Sequence, residues 1–273
     1  LFDQVEGIVM IRLAHARELE SIVREVARSV TLPRYLDSPR LAKTDGSSLT
    51  EADTLTQRAL ATRVQQIIEA PVLGEEMTFG QQAEIWAAAR DGLWVIDPID
   101  GTTNFANGIP MFALSVAWLI EGVTQFGVVY DPIADEAFYG ARGEGAWLNG
   151  IRLPQRRPAK ELAQAVGSAD FKRLPPELAQ RLALASPCFS LRSFGSSTLE
   201  WCFVAAGRLD LHLHGGQMLW DYAVGRLLVE EAGGRASELA GEALEADPLA
   251  KQGVAVGASP QLHQQLLAWI KAS

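Results

Sequence analysis

Three observations predict an α/β protein built as layers of helix and sheet in the α+β manner. Apolar residues recur at helical spacing over residues 3–30 and 51–70. Five short β-type runs follow one another between residues 93 and 148, joined by turns too short for crossover helices. From residue 197 onward, helical and strand-like runs alternate.

The first helix, 3–30, carries Val5, Ile8, Val9, Leu19, Ile22, Val23, Val26 and Val30 on one stripe, and Pro33 stops it. A polar, turn-rich segment follows, DSPRLAKTDGSSLTEAD, in which Thr50 and Asp53 have the spacing of a capping box. The second helix, 51–70, should turn Leu55, Leu60, Val64, Ile67 and Ile68 inward. The β-type runs cover 93–96, 112–120, 126–130, 136–142 and 146–148. Glu121-Gly122 and Asn149-Gly150 supply turn signals, so an antiparallel meander is expected. Helices at 197–206, 220–232 and 261–272 then alternate with strands at 209–214 and 254–257, and Gly233-Gly234 gives the middle helix its stop. A lobe boundary is expected near Pro154. Residues 1–150 would form an N-terminal lobe and 151–273 a C-terminal α/β lobe, joined in one compact unit.

The chain has 273 residues, 48% of them hydrophobic, and a net charge of −9. A sizeable core is therefore available, and the basic face that nucleic acid requires is not expected. A phosphorylated substrate stays open, because bound cations reverse a local field. Cys188 and Cys202 have no metal-type spacing and read as buried, reduced thiols. The opening residues, Leu1-Phe2-Asp3-Gln4-Val5-Glu6, have neither the basic start nor the apolar core of a signal peptide. No run reaches the roughly 18 apolar residues of a membrane span. The expectation is a soluble cytoplasmic protein.

The stretch WVIDPIDGTTNF, 94–105, ends an apolar run in two aspartates, Asp97 and Asp100, on a turn with Pro98 and Gly101. Two more stretches deliver acids at element ends. VLGEEM carries Glu75 and Glu76, and LWDYAVG places Asp221 in the first turn of a helix. Carboxylates that converge repel one another unless cations offset them. Hard divalent ions with oxygen ligands do so, and Mg²⁺ in particular combines a few carboxylates with water and phosphate oxygens. Two ions about 3.5–4 Å apart clamp both the attacking and the leaving oxygen of an in-line displacement. The four histidines fit no zinc motif: His15 and His263 lie on helices, while His212 and His214 alternate along a strand. A haloacid-dehalogenase-type phosphatase is not matched. Its two aspartates are separated by one residue, whereas Pro98 and Ile99 both intervene here, and on a regular strand that extra residue moves the second carboxylate to the opposite face. An EF-hand fails as well, since Ile99 falls on a ligand position.

These motifs resemble the inositol monophosphatase family of Mg²⁺-dependent, lithium-sensitive phosphatases. WVIDPIDGTTNF is similar to its first signature and WDYAVGRLLVEEAGG, 220–234, to its second, with GEE at 74–76 and LTEAD at 49–53 in the expected order. The resemblance spans residues 43–234. It implies an αβαβα sandwich, commonly a homodimer. It also implies that Glu75, Asp97 and the backbone carbonyl of Ile99 hold one Mg²⁺, that Asp97, Asp100 and Asp221 hold a second, and that Glu75 assists a weaker third. Mn²⁺ would substitute and Li⁺ inhibit. Thr102, oriented by Asp53, would position the attacking water, with Glu76 supporting the ligands from behind. Backbone N–H groups of Gly101, Thr102 and Thr103 would meet the phosphate, and Asp100, Gly195, Ser196 and Ser197 the substrate.

One position departs from the family. The glutamate that contacts the inositol ring in inositol-specific relatives, seven residues before the second-signature aspartate, is His214 here. The implied function is phosphomonoester hydrolysis of a small phosphorylated metabolite, inositol monophosphate-like or another polyol or sugar phosphate. Histidinol phosphate, fructose 1,6-bisphosphate and 3′-phosphoadenosine 5′-phosphate are alternatives. A different alternative is a non-catalytic regulatory member that binds RNA or polymerase, as one branch of the family does.

Overall fold

The computed structural model describes residues 2–37, 41–42, 48–89 and 91–272. Five layers alternate between helix and sheet, giving the α/β sandwich expected from the sequence. The first layer pairs α1 (Phe2–Val26) with α2 (Glu51–Val64). Between them stand a π turn (Ala27–Thr31), a short 3₁₀ turn beginning at Leu32, and a minimal antiparallel pair, β1 (Leu41–Ala42) and β2 (Ser48–Leu49). Leu19, Ile22, Val23 and Val26 are buried as the periodicity predicts. The side chains of Val5, Ile8 and Val9 lie outside the described residues, as do residues 38–40 and 43–47 of the polar segment.

These helices cover one face of a seven-stranded sheet of order β3-β4-β5-β6-β7-β8-β9. Its strands are β3 (Val72–Gly74), β4 (Leu93–Asp100), β5 (Ala113–Ile120), β6 (Val123–Asp131), β7 (Glu136–Ala141), β8 (Gly145–Leu148) and β9 (Ile151–Arg152). From β4 to β9 the sheet is the predicted antiparallel meander, and β3 joins β4 in parallel. Its turns have the chemistry the sequence announced. Glu121 and Gly122 (φ 50° and 74°), and Asn149 and Gly150 (φ 47° and 83°), take positive φ at both central positions, the condition of a type I′ hairpin. Strand alternation distributes β4 between two cores. Trp94 and Ile96 pack with α1 and α2, whereas Leu93 and Val95 face the opposite layer. Trp94 is fully buried, 5.0 Å from Trp118 between ring centroids, and truncating such a core tryptophan to alanine costs about 3–5 kcal/mol.

The middle layer is α6 (Ser197–Ala206) with α7 (Leu219–Glu231), held between both sheets. The second sheet is mixed, of order β11-β10-β12-β14-β13, from β10 (Val166–Ala169), β11 (Ser190–Arg192), β12 (Leu211–Gln217), β13 (Arg235–Glu238) and β14 (Gln252–Gly257). Its outer face carries α5 (Pro176–Leu184) and α8 (Pro260–Lys271) through Leu178, Leu182, Leu262 and Leu266. Two short helices, α3 (Phe79–Ala88) and α4 (Thr102–Ala106), border β4 in sequence.

Several expectations are corrected. α2 ends at Val64 rather than at 70, because Pro71 disfavours helical backbone before it and the Gln65 amide ties back to both polar groups of Ala70. Leu55 is only half-buried, and so are Ile67 and Ile68. The strand expected at 209–214 starts at Leu211, since Gly207, in the left-handed region, ends α6 and residues 208–210 complete the turn. Among the thiols Cys202 is buried and Cys188 only half-buried; both are free. Among the described residues no helix is long and apolar enough to cross a membrane.

Candidate metal and phosphate site

Asp97 and Asp100 end up on one face of the sheet, not on opposite faces. In the β4–β5 ladder Asp97 pairs with Ser115 and Asp100 with Ala113, so three steps on β4 match two on β5. The extra residue is a bulge at Pro98-Ile99, where a proline is tolerated because the ladder is interrupted. Ser115 donates its hydroxyl to the Trp220 carbonyl at 3.5 Å. This face therefore looks at the start of α7, where Asp221 lies. The sequence presents two aspartates on one strand and a third far away; the bulge and the helix start bring them together. Ligand oxygens of Asp97, Asp100 and Asp221 all lie within 4.8 Å of one another.

Each aspartate is anchored by donors. Asp97 Oδ1 accepts the N–H of Ile99 at 3.1 Å, and Asp221 Oδ2 the N–H of Met218 at 2.8 Å. Asp100 Oδ2 accepts three donors: Ser196 Oγ at 2.6 Å, Thr198 N at 2.7 Å and Thr198 Oγ1 at 2.7 Å. Burial is the largest influence raising the pKa of all three, and the charges of their neighbours add to it. For Asp97 the neighbour is first Glu75, whose carboxyl is within hydrogen-bonding reach of it.

Glu75 follows β3, with its N–H bonded to the Ile96 carbonyl at 3.1 Å. Gln82 on α3 donates to the carbonyls of Gly74 at 3.1 Å and Glu75 at 3.4 Å, so this helix buttresses the acidic turn. A Cβ at Gly74 would meet Gln57 Oε1 at 2.3 Å and displace that amide. That same oxygen accepts the N–H of Glu76 at 2.9 Å.

Directly after Asp100, Gly101 (φ 87°) turns the chain into α4. A Cβ at Gly101 would press on the carbonyls of Met111 and Gly195, at 3.0 and 3.2 Å. Thr102 Oγ1 lies 3.0 Å from the Ile99 carbonyl and 3.1 Å from Asp53 Oδ1. Asp53 is fully buried, and its Oδ2 accepts both the N–H and the hydroxyl of Thr50, at 2.7 and 2.6 Å. Burial nonetheless raises its pKa.

Glu75, Asp97, Ile99, Asp100, Gly101, Thr102, Thr103, Gly195, Ser196, Ser197, His214 and Asp221 line one cavity of about 400 Å³. Asp53 stands behind Thr102, and Glu76 is not among the lining residues. His214 is less available than its position in the sequence suggests. Its Nδ1 accepts the Gly216 N–H at 3.0 Å, which puts the ring proton on Nε2, 3.5 Å from Asp170 Oδ2. The same cavity includes Asp170, Lys172, Arg173, Glu200 and Lys251, which sequence reasoning missed. The one available signal was the adjacent pair Lys172-Arg173, but it follows β10, a strand that was not recognised.

The donor set suits a hard divalent cation. It consists of carboxylate oxygens with a backbone carbonyl close by, and the three converging aspartates have no histidine or cysteine among them. His212, the other inward histidine of β12, is held by Ser168 and Gln217 at 2.9 and 3.0 Å.

Comparison with known proteins gives a consistent result. A model of the inositol monophosphatase family matches residues 10–273. The chain is 40% identical over 179 residues to a protein of Pasteurella multocida named Nus factor SuhB, a match covering 64% of this chain and 65% of that relative, less than two thirds of its length. Among solved structures, an IMPase of Thermotoga maritima superposes with a TM-score of 0.79 at 27% identity, covering 92% of this chain and 94% of the other. The extragenic suppressor protein SuhB of Bartonella henselae gives 0.76 at 25% identity, covering 98% and 99%.

Proposed function

The chain belongs to the inositol monophosphatase family, and on that footing we propose that it is a Mg²⁺-dependent phosphomonoesterase that hydrolyses a small phosphorylated metabolite with water. The observation that carries the proposal is the convergence of Asp97, Asp100 and Asp221, with ligand oxygens within 4.8 Å of one another. Three carboxylates so close repel one another, and cations of the kind described are the natural offset. Glu75, Asp97 and the Ile99 carbonyl would hold one Mg²⁺, and Asp97, Asp100 and Asp221 a second, with Glu75 also serving a third. Bound there, the ions would lower the pKa of water and neutralise phosphoryl and leaving oxygens.

The chain's own groups supply positioning. The Thr102 hydroxyl has one proton and two acceptors beside it, Asp53 Oδ1 and the Ile99 carbonyl. That proton is occupied inward, so the hydroxyl oxygen is left to accept from a water in the cavity and orient it. A carboxyl raised above its ordinary value, as Asp53 is, is a stronger proton acceptor at the end of this relay. Backbone N–H groups of Gly101, Thr102 and Thr103 would meet phosphate oxygens, and Gly195, Ser196 and Ser197 the remainder of the substrate. Fixed groups of this kind are what phosphoryl transfer asks of a protein.

Phosphate release from a panel of phosphomonoesters, with and without Mg²⁺, tests the reading. Release from at least one compound, dependent on Mg²⁺ and suppressed by Li⁺, is expected. No release from any compound at any Mg²⁺ concentration would refute it.

A second reading is supported by the name Nus factor that the Pasteurella relative carries: a regulatory role through a transcription partner. The net charge of −9 opposes direct RNA binding. A stoichiometric complex with polymerase or its factors in a pull-down, together with no turnover, would favour it.

A further inference from the structure

The cavity lining has a basic part that the metal and water chemistry does not use, contributed by Lys172 and Arg173. Both belong to the turn after β10, residues 170–174, facing β12. Asp170 organises that turn. Its Oδ1 accepts the N–H groups of Lys172 at 3.0 Å and Arg173 at 3.2 Å, and its backbone carbonyl those of Arg173 at 3.1 Å and Leu174 at 3.2 Å. Its Oδ2 faces the protonated Nε2 of His214 at 3.5 Å, and that neighbour holds the Asp170 carboxyl below its usual range. Both Asp170 oxygens are thus engaged by the protein. Both His214 nitrogens are engaged as well, because Nδ1 accepts from Gly216.

The turn is pressed against the strand. A Cβ at Gly215 would lie 1.8 Å from the Arg173 carbonyl oxygen and 2.7 Å from the Leu174 Cα, so only glycine permits this approach. His214 is therefore a clamp on the turn, not a free substrate ligand. What the clamped turn presents is Lys172 and Arg173. Both line the cavity and both are exposed. Arg173 lies close enough to Asp170 and to Asp221 for its charge to pull the pKa of both downward, at Asp221 against the burial that raises it, which places it beside the acidic cluster. Lys251 adds a third cation to the same lining.

Two cations on a braced turn, in a protein of net charge −9, have a chemical meaning. Anionic groups are what lysine and arginine hold best, arginine by a planar fork that matches phosphate and carboxylate oxygens. On the phosphatase reading, the scissile phosphate would be served by the ions that Asp97, Asp100 and Asp221 would hold. We propose that the 170–174 turn is a subsite for a second anionic group, phosphate or carboxylate, on the leaving-group side of the substrate, so that the preferred substrates carry a phosphate ester at one end and an anion at the other. This rests on the phosphatase reading above and narrows it. A neutral polyol would offer neither cation an anionic group to hold.

Matched substrate pairs test it. 3-Phosphoglycerate and glycerol 3-phosphate differ by a carboxylate; glucose 1,6-bisphosphate and glucose 1-phosphate differ by a phosphate. With Mg²⁺, kcat/KM for at least one dianionic member is expected to exceed that of its partner by about tenfold or more, the worth of a charged hydrogen bond or two. The variant K172Q/R173Q is expected to bring that ratio near one. Which pair responds tells carboxylate from phosphate. A ratio near one for both pairs in the unaltered chain, or a ratio that the double substitution leaves in place, overturns the subsite. Uniform loss on all four compounds in the variant also overturns it, because it would place the two cations on the scissile phosphate. Absence of phosphate release from all four would count against phosphatase activity instead. The subsite is then read by calorimetric binding of the same compounds, and equal affinity within both pairs overturns it.

Discussion

Two parts of the cavity lining, one acidic and one basic and named its acidic and basic ends for their charge, are built in opposite ways. At one end acids are held tightly by backbone and hydroxyl donors: Asp100 alone takes three on one oxygen, and Asp97 is buried. At the other, Lys172 and Arg173 sit exposed on a turn whose backbone is braced by Asp170 and pressed against Gly215. The acidic end is costly without a counter-charge, since burial and mutual repulsion push its carboxyls upward. The basic end carries no such cost in water. The contrast separates two tasks. Chemistry needs groups that cannot move, whereas selection of a leaving group needs reach and charge.

Asp97→Asn should disable the acidic end most severely. Turnover should fall by about 10³-fold or more, because the shared carboxylate is lost from both proposed ions. The metal-free variant should at the same time melt higher than the parent near neutral pH. The sign follows from the raised pKa: such a carboxyl favours the folded state at acid pH, and that contribution is lost as pH rises through its folded value. Scanning calorimetry with and without Mg²⁺ checks both statements. Thr102→Ala comes next. A rate loss of about 10²-fold is expected with Mg²⁺ affinity retained, since the hydroxyl is proposed to act on water and not on the ions. Single-turnover kinetics beside metal titration separates the two.

Gly215→Ala attacks the other end. The added methyl must displace the 170–174 turn, costing about 1–3 kcal/mol of stability. The discrimination between paired and single anions should weaken while metal affinity holds, as urea titration and paired kinetics would show. Glu200→Gln should have the mildest consequence. Glu200, on α6, also lines the cavity; it is 3% exposed, its Oε1 accepts the Phe194 N–H at 3.0 Å, and burial raises its pKa to about 8. A raised acid stabilises the fold below its ordinary value of 4.5, and this is lost as pH climbs to about 8. Across that window the parent should lose thermal stability faster than the variant.

The same contrast explains what was legible in the sequence. The meander was readable because Glu121-Gly122 and Asn149-Gly150 are chemically suited to positive φ and the runs between them alternate. The acids were readable because WVIDPIDGTTNF has long, specific chemistry. That Asp97 and Asp100 share a face was not, because a bulge is a property of pairing with β5, which the spacing along one strand does not contain. The basic end was missed for a different reason. β10, VGSA, has small residues and no alternation, and gains its strand conformation from β11 and β12 on either side. Without it, Phe171-Lys172-Arg173 is an ordinary exposed run. α3 was missed likewise, since Gln82 is its one buried residue and its role is polar. His214 lines the cavity, but a sequence cannot show that both of its nitrogens are already engaged.

If Asp97, Asp100 and Asp221 together form a seat for divalent cations, crystals soaked in Mn²⁺ should reveal it by anomalous diffraction. Strong anomalous density is expected among these three carboxylates and beside Glu75, and it should vanish from the shared position in Asp97→Asn. Manganese bound at other surfaces, with none between these aspartates, would refute the seat.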